Sequence, residues 1–295
     1  MTTLRCEVVG IFGPTASGKS AVARRVADEL GTDVVSADAL QVYRGLPILT
    51  NQPAEPTALV GIRDLDDSMS VGEYAELAHE SIDDLVRRRG AVVVAGGTGL
   101  YLRAALADLE IPPAVQARER RRTEALYDAD PDAAHALLLE LDTAAAEAVH
   151  VNDRRRVVRA LELAAAGSTL VPTADRLWSD TMRRPTVIVG LDLPAGELDR
   201  RIAARTDEMI RRGVADEVRR AVRDPISHTA EKALGLRELA TLPLDEARGA
   251  IVARTRRYAA YQRKWMRRIP GIVLVDADRP IDEVADDILD LARAR

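Results

Sequence analysis

"CEVVGIFGPTASGKSAVARRVADELG", Cys6 to Gly31, joins three patterns in one run. Cys6 to Phe12 is an apolar run of strand length. Gly13 to Ser20 fits G-x-x-x-x-G-K-[ST], and Gly18 to Leu30 has a helical pattern with Gly31 as its stop. A strand feeding a glycine-rich turn that opens a helix aims backbone N–H groups and the helix dipole at one spot, which favours an anion. Gly13, Pro14, Thr15, Ala16, Ser17, Gly18, Lys19 and Ser20 therefore read as a phosphate-binding loop. Lys19 adds a mobile cation and Ser20 a hydroxyl for magnesium. Such a loop reads oxygen geometry, so the owner of the phosphates stays open.

Outward from this run, short apolar segments alternate with amphipathic ones, the pattern of a parallel sheet covered by helices. Strands are expected at Asp33 to Ser36, in "AVVVAGG" (Ala91 to Gly97), at Pro185 to Leu193 and in "GIVLVDA" (Gly271 to Ala277). A helix is expected from Val71 to Arg89, ended by Gly90, and one long helix from Glu197 to Val222. From about Ile111 to Ala166 the chain is rich in Ala, Leu, Arg and Glu without a strand-like run, so a helical insertion interrupts the sheet. The expected class is α/β, a parallel-sheet P-loop core formed by residues 1–108 and 167–295 with a helical insertion at 109–166.

The 295 residues are 47% hydrophobic and 30% charged, enough to bury a substantial core. A single cysteine, Cys6, excludes an internal disulfide framework, and His79, His135, His150 and His228 are too scattered for a metal site. The single cysteine points to a reducing cytoplasm, and no apolar run approaches the ~20 residues of a membrane span. The net charge of −5 argues against a generally cationic surface, which leaves nucleic-acid binding to local basic tracts.

Nucleoside triphosphatases with this loop also place an acidic residue at the end of a neighbouring strand to hold magnesium. Here "VVVAGGTG" ends in Gly96, Gly97 and Thr98, and Asp192 at the end of "VIVGLD" is a weaker candidate. Ligands of open α/β sheets bind outside the carboxyl ends of the strands, and "VVSADALQVYRG" puts Asp38 just past such an end. Facing a diphosphate, a carboxylate is suited to accept a proton from a nucleophile or to hold magnesium through water; alternatively it caps a turn. Thr98 is the side chain of the second glycine-rich turn able to hydrogen-bond a phosphate or a base.

Two tracts are basic. Arg154, Arg155, Arg156 and Arg159 form a cationic ridge in a helix-like run. Arg256, Arg263 and Arg267 share one helical face near the C-terminus, with Arg257, Lys264 and Arg268 beside them, and Tyr258, Tyr261 and Trp265 are expected to pack inward from the other face. That stripe is a candidate RNA rail.

With "GPTASGKS", "ADALQVYRG", "GGTGLYLRAAL", "NDRRRVVRALELAAAG", "ALGLREL" and "TRRYAAYQRKW" in this order, the chain resembles the tRNA dimethylallyltransferases over nearly its full length. The resemblance implies a P-loop NTPase-like core whose helical insertion grips the anticodon stem-loop. It implies a loop that holds the diphosphate of dimethylallyl diphosphate with Mg2+, and transfer of the prenyl group to the exocyclic amine of an adenosine beside the anticodon. Asp38, Thr98 and Lys19 become the catalytic set, with Asp38, Ala39, Leu40, Gln41, Thr98, Arg118, Arg155, Arg156, Arg159, Lys232 and Arg237 toward tRNA. A monomer is expected.

Departures from the family pattern lie on the acceptor side. Ala39 follows Asp38 where serine is usual, "LTNQP" (Leu49 to Pro53) stands for Gly-Thr-Ala-Lys-Pro, and "GIRDLDD" (Gly61 to Asp67) lacks the usual histidines. Lys232, Gly235 and Leu236 stand where Arg, Gly and Tyr are usual, and the arginine expected early in the insertion is Arg118 or is replaced by Gln116. Three other readings are transfer to free adenylate, a small-molecule kinase, and a tRNA-binding relative without catalysis, which the acceptor-side departures would suit. The retained insertion and basic tracts oppose the first, and the motif order opposes the second.

Overall fold

The computed structural model describes residues 5–112, 117–171 and 176–294. Strand β1 (Val8–Phe12) runs into the glycine-rich loop, which opens helix α1 (Lys19–Leu30). Strand β2 (Val34–Ser36), helix α2 (Val71–Arg89), strand β3 (Val92–Gly96) and helix α3 (Gly99–Leu106) come after it. Four helices are next: α4 (Ala117–Ala129), α5 (Pro131–Leu141), α6 (Thr143–Ala148) and α7 (Arg154–Ala165). The sheet resumes with β4 (Thr186–Asp192), and α8 (Ala195–Arg211), α9 (Val214–Ala221), α10 (Leu236–Thr241), α11 (Leu244–Met266), β5 (Val273–Asp276) and α12 (Ile281–Ala294) complete the chain.

All five strands are parallel, in the order β2-β3-β1-β4-β5. Val9, Ile11, Val93, Val187, Val189 and Leu191 of the sheet pack with Val22 and Val26 of α1 and Val284 and Ile288 of α12. Burial on both faces explains why these strands read as continuous apolar runs. The register aligns the strand ends, pairing Phe12 with Gly96 and Ser36 with Ala95. The loops after β1, β2 and β3 therefore leave the sheet side by side at its carboxyl edge.

Local chemistry sets the helix ends. Ser70 and Glu73 form a reciprocal capping box at the start of α2, and Gly90 ends it in the left-handed region. The long helix expected from Glu197 to Val222 is two helices instead. Gly213, at φ 84°, breaks it and caps α9, a turn that its neighbours in the sequence do not announce.

The chain divides into two compact units, Met1–Asp108 with Leu177–Arg295, and Leu109–Arg176. The smaller unit reaches ten residues beyond the 109–166 read from composition, because the segment after α7 packs on it through Leu170 and Val171. Its core joins Tyr127, Leu138, Val157 and Leu161, with the Tyr127 hydroxyl donating to the Val151 carbonyl at 2.7 Å. Among the described residues no helix is long and apolar enough to cross a membrane.

Candidate functional site

The phosphate loop has the backbone its motif requires. Ala16 and Gly18 both lie in the left-handed region, at φ 65° and 89°, and Gly18 caps α1 with no side-chain hydrogen bond. Alternation of this kind turns successive N–H groups toward one concavity at a helix N-terminus, the geometry that accepts an anion. Ser17 is buried, and its Oγ has no partner among the described residues. Lys19 folds back so that Nζ donates to the Pro14 carbonyl at 2.8 Å.

Two residues that sequence reasoning passed over complete this loop. Gln262 of α11 is 3% exposed; its Oε1 accepts from the Thr15 N–H and its Nε2 donates to the Gly97 carbonyl, both at 2.8 Å. One amide thus ties the phosphate loop to the second glycine-rich turn. Glycine is required there, because a Cβ on Gly97 would lie 2.3 Å from Gln262 Nε2 and one on Gly96 2.0 Å from the Ala37 carbonyl oxygen. Arg205 of α8 reaches Thr15, donating from Nη1 to Oγ1 at 2.7 Å. The only sequence signal for either was a polar residue on the apolar face of an amphipathic helix.

A cavity of about 120 Å³ lies against these groups, lined by Thr15, Lys19, Ser20, Asp38, Gly96 and Arg205 among others, with Tyr258 and Gln262 closing one side. Its two half-buried cations face a single carboxylate. Burial lowers Lys19 to about 8, a shift that Asp38 opposes and Arg205 reinforces. Burial also pulls Arg205 below its usual range, with Asp38 acting the other way. Both cations regain their charge preference when an anion enters.

Asp38 caps a turn, one of the two readings its position allowed. Its Oδ1 accepts from the N–H groups of Leu40 and Gln41 at 2.9 and 3.3 Å, holding the turn, while Oδ2 has no hydrogen-bond partner among the described residues. Thr98 does not cap α3; its Oγ1 accepts from the Ala39 N–H at 3.4 Å and meets the Tyr258 hydroxyl. Burial pushes that hydroxyl up to about 12, so it stays protonated.

The loop bearing Asp38 is clasped from within. Gln41 Nε2 donates to the Thr50 and Asn51 carbonyls, its Oε1 accepts from Ser36 Oγ, and Gln52 Nε2 donates back to the Gln41 and Tyr43 carbonyls. Buried Glu217 of α9 accepts the N–H groups of Ile48 and Leu49, both at 2.8 Å. Gln41, expected to face tRNA, has its side chain committed to this clasp. Leu40 packs toward the apolar cluster around Leu46 and Leu49, and Ala39 meets Thr98 through its backbone.

The basic tracts divide sharply. In α7, Arg154 forms a two-pronged pair with Asp128 at 2.6 and 2.7 Å, and Arg159 turns to buried Glu162 at 3.1 Å. Arg155 and Arg156 are exposed with side chains unpaired among the described residues, as is Arg118 of α4; Gln116 lies outside the described residues. In the larger unit, Lys232 ends a short 3-10 turn and Arg237 opens α10, both exposed. On the stripe expected along α11, Arg263 pairs with Asp192 at 3.0 Å and Arg256 with Asp199 at 3.4 Å, while exposed Arg257, Lys264 and Arg267 make no ion pair among the described residues. Asp192 is thereby engaged by a cation and is not a free metal ligand. Tyr261, expected inside, is 55% exposed.

An open five-stranded parallel sheet whose glycine-rich loop shares one cavity with Lys19, Arg205 and the Asp38 carboxylate defines a P-loop protein. Among the described residues no three His, Cys, Asp or Glu side chains cluster as metal ligands. The family model described as IPP transferase matches residues 41–269, and the chain belongs to that family. It is 38% identical over 304 residues to the tRNA dimethylallyltransferase of Acidothermus cellulolyticus, covering 98% of this chain and 92% of that one. With the enzyme of the same description from Streptomyces coelicolor it shares 39% over 279 residues, 90% and 89% of the two chains. The crystal structure of the full-length tRNA isopentenylpyrophosphate transferase from Bacillus halodurans matches with a TM-score of 0.68 at 29% identity, covering 98% and 95% of the two chains. A eukaryotic dimethylallyltransferase captured acting on tRNA matches with a TM-score of 0.73 at 25% identity, covering 92% of this chain and 73% of that one.

Proposed function

We propose that this enzyme transfers the dimethylallyl group of dimethylallyl diphosphate to the exocyclic amine of the adenosine beside the anticodon of tRNA. The observation that carries the reading is one cavity lined by both halves of that chemistry: Lys19, Thr15 and Arg205 for a leaving diphosphate, and Asp38 for an amine proton. The family and the names of the relatives support it.

An aryl amine is a weak nucleophile, so the leaving group must carry the reaction. As the allylic C1–O bond breaks, its electron pair goes to the diphosphate, and charge developing on those oxygens meets Lys19, Arg205 and the N–H groups of the loop. The amine nitrogen bonds to C1 and becomes cationic. Asp38 Oδ2 takes one of its protons, and Oδ1, held by Leu40 and Gln41, keeps the carboxylate aimed. Thr98 and Tyr258 supply hydroxyls beside the acceptor. The adenine must leave its stack to reach the cavity.

Magnesium fits the residues present, since the Ser20 hydroxyl is exposed at the first turn of α1 and lines the same cavity as Asp38. Ser20 would hold it directly and Asp38 through water, and it would neutralise charge on the diphosphate. Arg118, Arg155 and Arg156 of the helical unit, with Lys232 and Arg237, serve the RNA backbone. We place the enzyme in the cytoplasm, as a monomer.

The test is to offer purified protein labelled dimethylallyl diphosphate with either unmodified tRNA or AMP. Label is expected in the tRNA adenosine alone. Label confined to AMP overturns the acceptor, and label in neither overturns the reaction.

A further inference from the structure

Helix α11 runs from the reaction cavity to solvent, and its side chains form a graded series. Gln262 and Tyr258 belong to the cavity wall. Tyr261, one turn on from Tyr258, has a centroid 6.5 Å from it with the ring planes 27° apart, and is 55% exposed. More than half of Tyr261 is thus open to solvent beside a ring that lines the cavity. Its edge of the helix is also basic. At the helical rotation of 100° per residue, Arg257 four positions before and Lys264 three after flank Tyr261 on its own edge. Both are exposed and make no ion pair among the described residues. Arg256 and Arg263, on the opposite edge, are neutralised by Asp199 and Asp192. The free cations of α11 therefore bracket the aromatic ring. The same edge continues to Arg268, whose guanidinium sits 3.9 Å over the Trp178 ring.

An exposed aromatic face between unpaired cations matches the requirement of single-stranded nucleic acid, in which bases stack on rings while phosphates seek charge. We propose that Tyr261 is the stacking platform for an unpaired base next to the acceptor adenosine, with Arg257 and Lys264 holding the phosphates on either side. The flipped adenine enters toward Tyr258 while its neighbour, left without a stacking partner, is received by Tyr261. This rests on the tRNA reading above and adds a positioning residue to it. Tyr261 touches neither the reacting carbon nor the amine; it lowers the cost of keeping the loop splayed.

The wild-type enzyme is first assayed with dimethylallyl diphosphate and an anticodon stem-loop RNA; no product there overturns the tRNA reading, separately from this one. With product established, Tyr261→Ala is expected to raise KM for the RNA by about tenfold, within the range of one lost base–aromatic stack, while kcat changes far less. Tyr261→Phe keeps the ring and restores KM to within about twofold of wild type. An abasic nucleotide next to the acceptor should weaken binding to wild type and to Tyr261→Phe but add nothing to the defect of Tyr261→Ala. A 2-aminopurine at that position should be quenched by wild type and not by Tyr261→Ala. KM unchanged in Tyr261→Ala, or an abasic penalty equal in all three proteins, overturns the proposal. Because Tyr261 is exposed and a thermal melt of each variant checks the fold, a defect from misfolding is recognisable as a shifted transition.

Discussion

The phosphate loop and the 38–53 loop leave the same sheet edge as neighbours, yet different means give them their shape. The first is eight consecutive residues shaped by their own backbone, with Gly18 and Ala16 supplying the left-handed turns. The second has no repeating conformation and is held by side chains, from within by Gln41 and Gln52 and from α9 by Glu217. Recognition by backbone depends on a short contiguous sequence. Recognition by a clasped loop depends on residues about 170 positions away, through buried hydrogen bonds that each contribute little alone but whose loss strands a buried partner. The two halves of one cavity should therefore respond differently to substitution.

The largest expected effect tests whether the 38–53 loop carries chemistry at all. Asp38→Ala should lower turnover by about 10²- to 10⁴-fold, the range for removing a general base, while tRNA affinity stays within a few-fold. Near-normal turnover in single-turnover assays would return Asp38 to its role as a turn cap. The loop itself would then be only a wall of the donor site.

The support of the phosphate loop ranks second. Arg205→Ala removes the donor to Thr15 and a cation from the cavity wall, and turnover should fall by about 10²-fold, as for loss of one preorganised charge stabiliser. Arg205→Lys should recover only part of this, since one ammonium cannot reach Thr15 and the diphosphate together. Full activity in Arg205→Ala would leave the loop backbone and Lys19 sufficient. Lys19 adds a pH signature. Held near 8 by burial, it is largely charged at neutral pH and loses its proton as pH rises. Donor affinity should weaken through about pH 8 and above, and calorimetry at pH 9 should show proton uptake on binding, because the anion raises the Lys19 pKa. Flat affinity from pH 7 to 9 would remove Lys19 as the principal charge on the diphosphate.

The same contrast governs how legible each region was in the sequence. The strand–loop–helix unit, the five strands and Asp38 were readable because each is a local pattern: an apolar run, a glycine spacing, an acid after a strand. Gln262 was not, since its one local mark, a polar residue on an apolar helix face, names no role, and that role comes only from its bonds to Thr15 and Gly97. Glu217 was hidden in a helix read as continuous, and the break at Gly213 that turns it toward Ile48 is one residue in the left-handed region. Which cations of the α11 stripe are paired was hidden, because counting arginines does not say which have acids waiting; Asp192 and Asp199 come from β4 and α8.

A moderate effect is expected from Glu217→Ala. Two buried N–H groups lose their acceptor, a cost of about 1–3 kcal/mol seen as a lowered Tm. If the clasp also sets Asp38, KM for RNA should rise more than KM for the prenyl donor. Equal changes in both would make Glu217 a stability residue alone.

The smallest effect separates paired from unpaired arginines within the helical unit. Arg156 is exposed and unpaired among the described residues, whereas Arg154, two positions earlier on α7, is locked to Asp128 by two hydrogen bonds. If the unit contacts the RNA backbone through free cations, Arg156→Ala should weaken RNA binding a few-fold and reduce the slope of log K against log salt by about one. Arg154→Ala should leave that slope nearly unchanged, since its charge is already compensated and only a surface pair worth about 0.2–1 kcal/mol is lost. Equal slopes for both variants would mean that charge is read as a smooth field over the helix rather than at particular side chains. A changed slope for Arg154 alone would mean that RNA displaces Asp128, making the pair a gate for the backbone instead of a strut for α4 against α7.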